Sequence, residues 1–168
     1  MTKINNKATK YDDEMTLALR SAFEHRATWF YLLLNEAKQR GLEWDDFARS
    51  AIFKCGCFHG DNKIKPDCED MDDLTKFIDV FIREETRKVF EADIAENTKD
   101  TMYLKFNYCP LVTAWLKLGC SDEEISHLCD IAMDGDRGIA ESCGFDITIE
   151  SKIADGDRCC TVNFDKKG

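Results

Sequence analysis

The chain has 168 residues, enough for one domain with a real core. Its formal charge is −10 with no basic face in the linear sequence, which argues against a nucleic-acid or membrane-surface partner, and no apolar run reaches the roughly 18 to 20 residues that span a bilayer. Nine cysteines, an odd number in a chain rich in apolar residues and lacking an N-terminal apolar signal segment, argue for mostly free thiols in a reducing cytoplasm rather than a disulfide scaffold.

Residues 1–11 are polar and are expected to be disordered. Asp12 or Asp13 starts a long amphipathic helix with Leu19, Phe23, Phe30, Leu34 and Ala37 on one stripe, ended by Gly41. A second helix is predicted from Trp44 to Gly60, with Trp44, Phe47, Ala51, Ile52 and Cys55 inward. Asp61 to Glu69, with Pro66, reads as a loop. A third helix, from Asp70 to Ile94, would bury Leu74, Ile78, Phe81, Val89 and Phe90.

The pattern changes near Asn97. Residues 101–108 alternate as a half-buried strand, and Cys109-Pro110 opens a short helix that stops at Gly119. Ser121 and Glu124 form a capping box for a helix with Ile125, Leu128, Cys129, Ala132 and Met133 inward. Phe145, Ile147, Ile149 and Ile153 read as a second strand, Asp155-Gly156 as a hairpin turn, and Cys160, Val162 and Phe164 as one face of a third strand. The expectation is an α+β fold over 1–168 as one domain. A three-helix portion, 12–96, packs on a β-α-α-β-β unit, 97–168, that has a small antiparallel sheet and carries the site.

Cys109 stands at a strand-to-helix junction, at the N-cap of its helix. Free backbone N–H groups and the positive end of the helix dipole favour an anion there, which would help the thiol ionise; the plainer reading is a small buried residue. Cysteine caps poorly compared with serine or aspartate, so its choice asks for another reason. Cys129 and Asp136 are seven apart and share a helix face, and an acid on a core-facing stripe is costly unless paired or lining a cavity. His127, Asp130 and Asp134 form the neighbouring stripe. They and Tyr108 are candidate substrate contacts, although a solvated charged face would look the same. Cys160 points to the core side of its strand and Cys159 away from it. Cys55, Cys57, His59 and Cys68 resemble metal ligands by composition, but C-x-C-x-H within a helix sends its side chains to different faces.

The stretch from Phe106 to Cys160 resembles the C-terminal signature of the L-2-amino-thiazoline-4-carboxylic acid hydrolase family. In that signature a strand-end cysteine precedes a short glycine-ended helix, a helix bearing a cysteine and then an aspartate, and a G-x-x-x-C hairpin. Cys109, Gly119, Cys129, Gly156 and Cys160 hold those positions, and Gly56 and Gly60 match a pair of glycines upstream, so the resemblance spans residues 20–164. Family members often carry the aspartate three residues after the helix cysteine; here that position is Ala132, and Asp136, one turn on and on the same face, could substitute, whereas Asp130 or Asp134 could do so only if the helix is irregular. Cys57, Phe58 and His59 replace basic residues around the glycine pair. The resemblance implies hydrolytic opening of a cyclic amidine to N-carbamoyl-cysteine. Cys109 would be a nucleophile and Asp136 an acid or base, while Cys129 and Cys160 line the pocket or, with Cys109, hold zinc or iron. Thiolate catalysis and a metal-bound water both remain open, as does a non-enzymatic sensor or binding module holding a metal or small ligand through the same cysteines. The partner is a small-molecule substrate or ligand, and acidic surfaces with exposed helical faces are compatible with both a monomer and a homodimer.

Overall fold

A computed structural model describes residues 2–168. Helix α1 (Glu14–Gln39) is N-capped by Asp13, whose carboxylate accepts from Thr16 N, and ends before Gly41 in the left-handed region. Its inward stripe is Thr16, Arg20, Phe23, Ala27, Phe30 and Leu34, close to expectation except that a guanidinium joins it. Helix α2 (Asp45–His59) buries Ala48 and Gly56, with Ile52 partly covered. Phe47, Ala51 and Cys55, expected inward, face solvent. The face is narrow because it rests on glycines rather than on large side chains.

The loop expected over 61–69 is largely helical. A π-helical turn, Gly60–Ile64, carries α2 into the short α3 (Lys65–Asp67), where Pro66 lies in the first turn and its missing N–H is harmless. The predicted third helix divides into α4 (Leu74–Phe81) and α5 (Glu84–Phe90), broken at Ile82. Helix α5 stops at Glu91, which adopts φ +49°. Residues Ala92–Asn97 are then strand β1, not helix. Pairing with β2 (Thr101–Phe106) decides their conformation, as tertiary context overrides a weak local preference. The boundary drawn at residue 96 therefore falls inside a hairpin.

Helix α6 (Pro110–Lys117) starts at Cys109 as predicted. Helix α7 (Asp122–Ala132) has the full capping box, with Ser121 N donating to Glu124 Oε2 at 2.8 Å. Helix α8 (Asp134–Cys143) follows after a break at Met133. Strands β3 (Phe145–Ser151) and β4 (Cys160–Lys166) complete a four-stranded antiparallel sheet in the order β1-β2-β4-β3. Asp155-Gly156 is not a tight two-residue turn: a 3-10 turn over Ile153–Asp155 sits inside a longer link, with Gly156 at φ +92°. The architecture is α+β. No helix among the described residues is long and apolar enough to cross a membrane.

Two apolar clusters organise it. Trp115, Val112, Ile125 and Ile131 pack beneath α1, and Trp115 Nε1 donates to Ala27 O at 3.1 Å. Phe77, Ile78, Met102, Leu104, Phe145 and Phe164 pack α4 and α8 against one sheet face. The segment before α1 is not frayed: Ile4 is buried in the first cluster, and Thr9 N and Lys10 N donate to Glu91 Oε1. Glu91 also pairs with Arg20 at 3.1 Å, both nearly inaccessible, which accounts for the buried guanidinium on α1.

Helices α2 and α8 meet backbone to backbone. A Cβ on Gly56 would overlap the Gly135 carbonyl, and one on Gly138 would overlap that of Phe53. Replacing Gly56 with Ala is expected to destabilise the protein by about 3 kcal/mol, because backbone cannot yield as a side chain can. Urea denaturation of the variant against the wild type checks this.

Candidate active site

Cys109 is the N-cap of α6 with extended backbone angles (φ −133°, ψ 113°), fixed by the end of β2 before it and Pro110 after it. Its sulfur makes no capping hydrogen bond. Cys129, on the inward face of α7, is buried, and Cys109 and Cys160 pack against the cluster to which it belongs. Cys160 opens β4 opposite Phe106 and accepts from Ile153 N at 3.3 Å. The three thiols perturb one another: Cys109 and Cys160 both raise Cys129, and Cys109 raises Cys160. Asp136, in the first turn of α8, adds its charge to Cys109 despite the helix break at Met133. The four residues singled out as the chemical set are thus brought together.

Their protonation differs from the sequence expectation. Burial pushes the Cys109 thiol up. The Val112 and Leu111 N–H groups and Arg26 pull it down, but by less. Burial likewise raises Cys129 well above an ordinary thiol and Cys160 to about 12. All three are thiols at neutral pH. Asp136 is the group that titrates: burial raises it to about 6, against the opposing pull of Arg26 and Arg137. Cys109 and Asp136 keep some accessible surface, yet crowding by protein atoms governs both. Asp136 forms no hydrogen bond or ion pair among the described residues.

The proposed substrate contacts are placed otherwise. Asp130 and Asp134 belong to a clasp in which Arg49 of α2 reaches Asp130 at 2.9 Å and Asp134 at 3.2 Å, while Arg137 reaches them at 3.1 and 2.6 Å. Burial pushes the Asp130 carboxyl up, but its bonds from Arg137 and Arg49 more than offset this. Both carboxylates are occupied in holding α2, α7 and α8 together. His127 Nε2 lies 2.6 Å from Asp45 Oδ1, and its ring leans on Trp44. Tyr108 is buried under the Arg20 guanidinium, 4.6 Å from its ring centroid, and its phenol oxygen accepts from Thr113 Oγ1. Its polar atom is therefore already used. His127 and Asp130 do line a surface depression of about 570 Å³ with Lys152 and Asp155, whose charges reach Cys129.

Two residues that the sequence pattern did not single out enter the site. Arg26 of α1 acts on Asp136 and Cys109, with its guanidinium over the Phe23 ring at 4.7 Å. Asn6 binds the Cys109 backbone. A cation three positions after an aromatic on a helix, and an asparagine in a polar leader, have no local signature. Among the described residues no group of three or more His, Cys, Asp or Glu is placed to hold a metal ion. That holds for Cys109, Cys129 and Cys160 and for Cys55, Cys57, His59 and Cys68 alike.

The sequence pattern of L-2-amino-thiazoline-4-carboxylic acid hydrolase matches residues 20–164, all but the two ends of the chain. The chain belongs to that family. No curated protein matches it. Among solved structures, it is similar to a trafficking protein particle complex subunit 3 from Naegleria fowleri, covalently bound to palmitic acid. That likeness has a TM-score of 0.59 at 11% identity and covers 89% of this chain and 97% of that one, so it is one of fold. Both the family and the α+β class agree with the sequence reading.

Burial of Asp136 has a thermodynamic consequence. The folded protein holds this proton up to about pH 6, while an unfolded carboxyl releases it near 3.8. Folding stability contributed by that proton is present below the lower value and is lost as pH rises through the window to about 6. Above it the charged carboxylate costs the fold up to about 3 kcal/mol. Asp136→Asn is therefore expected to be more stable than wild type at pH 7.5, with the difference vanishing near pH 4. Urea titrations at the two pH values check this.

Proposed function

We propose that the protein is a hydrolase that opens a cyclic amidine such as L-2-amino-thiazoline-4-carboxylate to N-carbamoyl-cysteine. The observation that carries the reading is Asp136, a half-buried carboxyl with no hydrogen-bond or ion-pair partner among the described residues, whose charge reaches Cys109 at the start of α6. Above about pH 6 it is mainly a carboxylate, the form that a general base needs. Water held against it attacks the ring carbon between sulfur and nitrogen while Asp136 takes a water proton. The ring nitrogen gains one proton. The carbon–sulfur bond then breaks with its electron pair on sulfur, the added oxygen becomes the urea carbonyl, and sulfur takes the second proton. One water is consumed and no oxidant is needed. A neutral Cys109 thiol and the N–H groups of α6 face the developing charge as donors. Arg26 is the cation available to the substrate carboxylate.

A binding module that turns nothing over is the second reading, favoured by the fold likeness to a complex subunit holding a fatty acid. Turnover of the thiazoline, followed by release of a free thiol, separates the two. The rate is expected to rise with pH through a midpoint near 6. Asp136→Asn should cost about 10²- to 10⁴-fold in kcat with the fold retained, whereas Cys109→Ser should keep a measurable rate. A flat profile between pH 5 and 8, or an active Asn variant, would remove Asp136 from the chemistry.

A further inference from the structure

The segment before α1 lies along the body and is fastened at three places. Thr2 Oγ1 and Lys3 N donate to Asp122, Asn6 binds at Cys109, and Thr9 and Lys10 donate to Glu91. The outer two attachments meet carboxylates. The middle one meets the backbone of the candidate catalytic residue itself.

Asn6 Oδ1 accepts from Cys109 N at 2.9 Å, and Asn6 Nδ2 donates to Cys109 O at 2.7 Å. The same Nδ2 donates to Thr113 Oγ1 at 2.9 Å, and Thr113 Oγ1 donates to Tyr108 Oη at 3.0 Å. The side-chain amide therefore pairs with one residue as a strand neighbour would, taking both its donor and its acceptor. Its orientation is unambiguous: a backbone N–H only donates and a carbonyl only accepts, so the amide cannot be flipped. Few side chains offer a donor and an acceptor in one plane at this reach.

The position needs such a partner. Cys109 follows the last residues of β2 and precedes Pro110, which has no N–H, and its own side chain does not cap the helix. Without Asn6 its N–H has no acceptor among the described residues, and its carbonyl keeps only the 3.2 Å bond from Thr113 N. The backbone torsions of Cys109 set where its sulfur stands relative to Asp136, Cys129 and Cys160.

We infer that Asn6 is a positioning residue for Cys109, making the N-terminal segment part of the site rather than a leader to the fold. The kinetic half of the test rests on the hydrolase reading; the chemical half does not. Cys109 alkylation by iodoacetamide, followed by mass spectrometry of its peptide across pH 6–10, reads the thiol without substrate. Asn6→Ala, and the near-isosteric Asn6→Asp, which sets an acceptor against the Cys109 carbonyl, are compared with Thr2→Val. The last cuts an outer attachment, to Asp122, and the local bond from Ile4 N, and leaves the Asn6 contacts in place. Both Asn6 variants are expected to change the alkylation rate of Cys109 by about tenfold, the equivalent of one hydrogen bond, with the melting temperature nearly kept. They should lower kcat with KM little changed, and Asn6→Gln should restore part of the loss. Thr2→Val should leave the alkylation profile as in wild type. An altered alkylation profile in a protein that never turns over the thiazoline would sink the hydrolase reading and leave the positioning role standing. Alkylation unchanged in both Asn6 variants, or changed equally by Thr2→Val, would overturn the role assigned to Asn6.

Discussion

The contact on which the site depends is the crossing of α2 and α8, where Gly56 meets Gly135 and Gly138 at backbone distance. Asp136 and Arg137 lie between those two glycines of α8. The close approach of α2 fixes the backbone of α8 on either side of Asp136, whose carboxyl is raised by crowding from protein atoms. The same approach brings Arg49 of α2 to Asp130 and Asp134, and Arg137 closes the clasp from the other side. One absent pair of methyl groups thus lets α2 and α8 meet closely enough for the clasp of charge beside the site to close.

Charge is allotted unevenly across that crossing. The chain has 33 acidic residues against 23 Lys and Arg, so cations are scarce. Two arginines, Arg49 and Arg137, are nonetheless spent on the Asp130–Asp134 pair, and Asp136 receives only the more distant fields of Arg26 and Arg137. A further arginine, Arg20, is buried on Glu91 to hold the left-handed end of α5 and the N-terminal segment. An ion pair of that kind gives little net stability after desolvation, but it specifies where the chain must lie. That specification reaches the site, because the segment fastened at Glu91 is the one that carries Asn6 to Cys109.

What could be read from the chain follows the reach of each signal. Periodicity and caps are local, so α1, α2, α6 and the capping box of α7 emerge from Asp13, Cys109-Pro110 and Ser121 nearly as the structure has them. Strand β1 was hidden because Ala92–Asn97 has no alternating pattern; only its pairing with β2 makes it a strand. The inward face of α2 was misassigned for a related reason. Large residues such as Phe47 looked like core, whereas the real contact is made by a residue with no side chain. The convergence of Cys109, Cys129, Asp136 and Cys160 was legible because each sits at a defined point of an element. Arg26 and Asn6 were not, since each reaches the site from a distant part of the chain.

The helix N-terminus at Cys109 shows how magnitudes decide a site's chemistry. A helix dipole with its free N–H groups favours an anion by about 0.3–1 kcal/mol at the surface and up to about 2 when partly buried. Burial of an ionisable group can shift it by as much as 3–5 pKa units, several times more. The thiol of Cys109 is crowded by protein beside the thiols of Cys129 and Cys160, within reach of the Asp136 charge, so desolvation wins and the dipole only moderates it. The N-terminus keeps its donors while the sulfur keeps its proton. In such surroundings the group able to change charge near neutrality is the carboxyl, and the cysteines furnish a weakly polar wall on which its proton transfer can act.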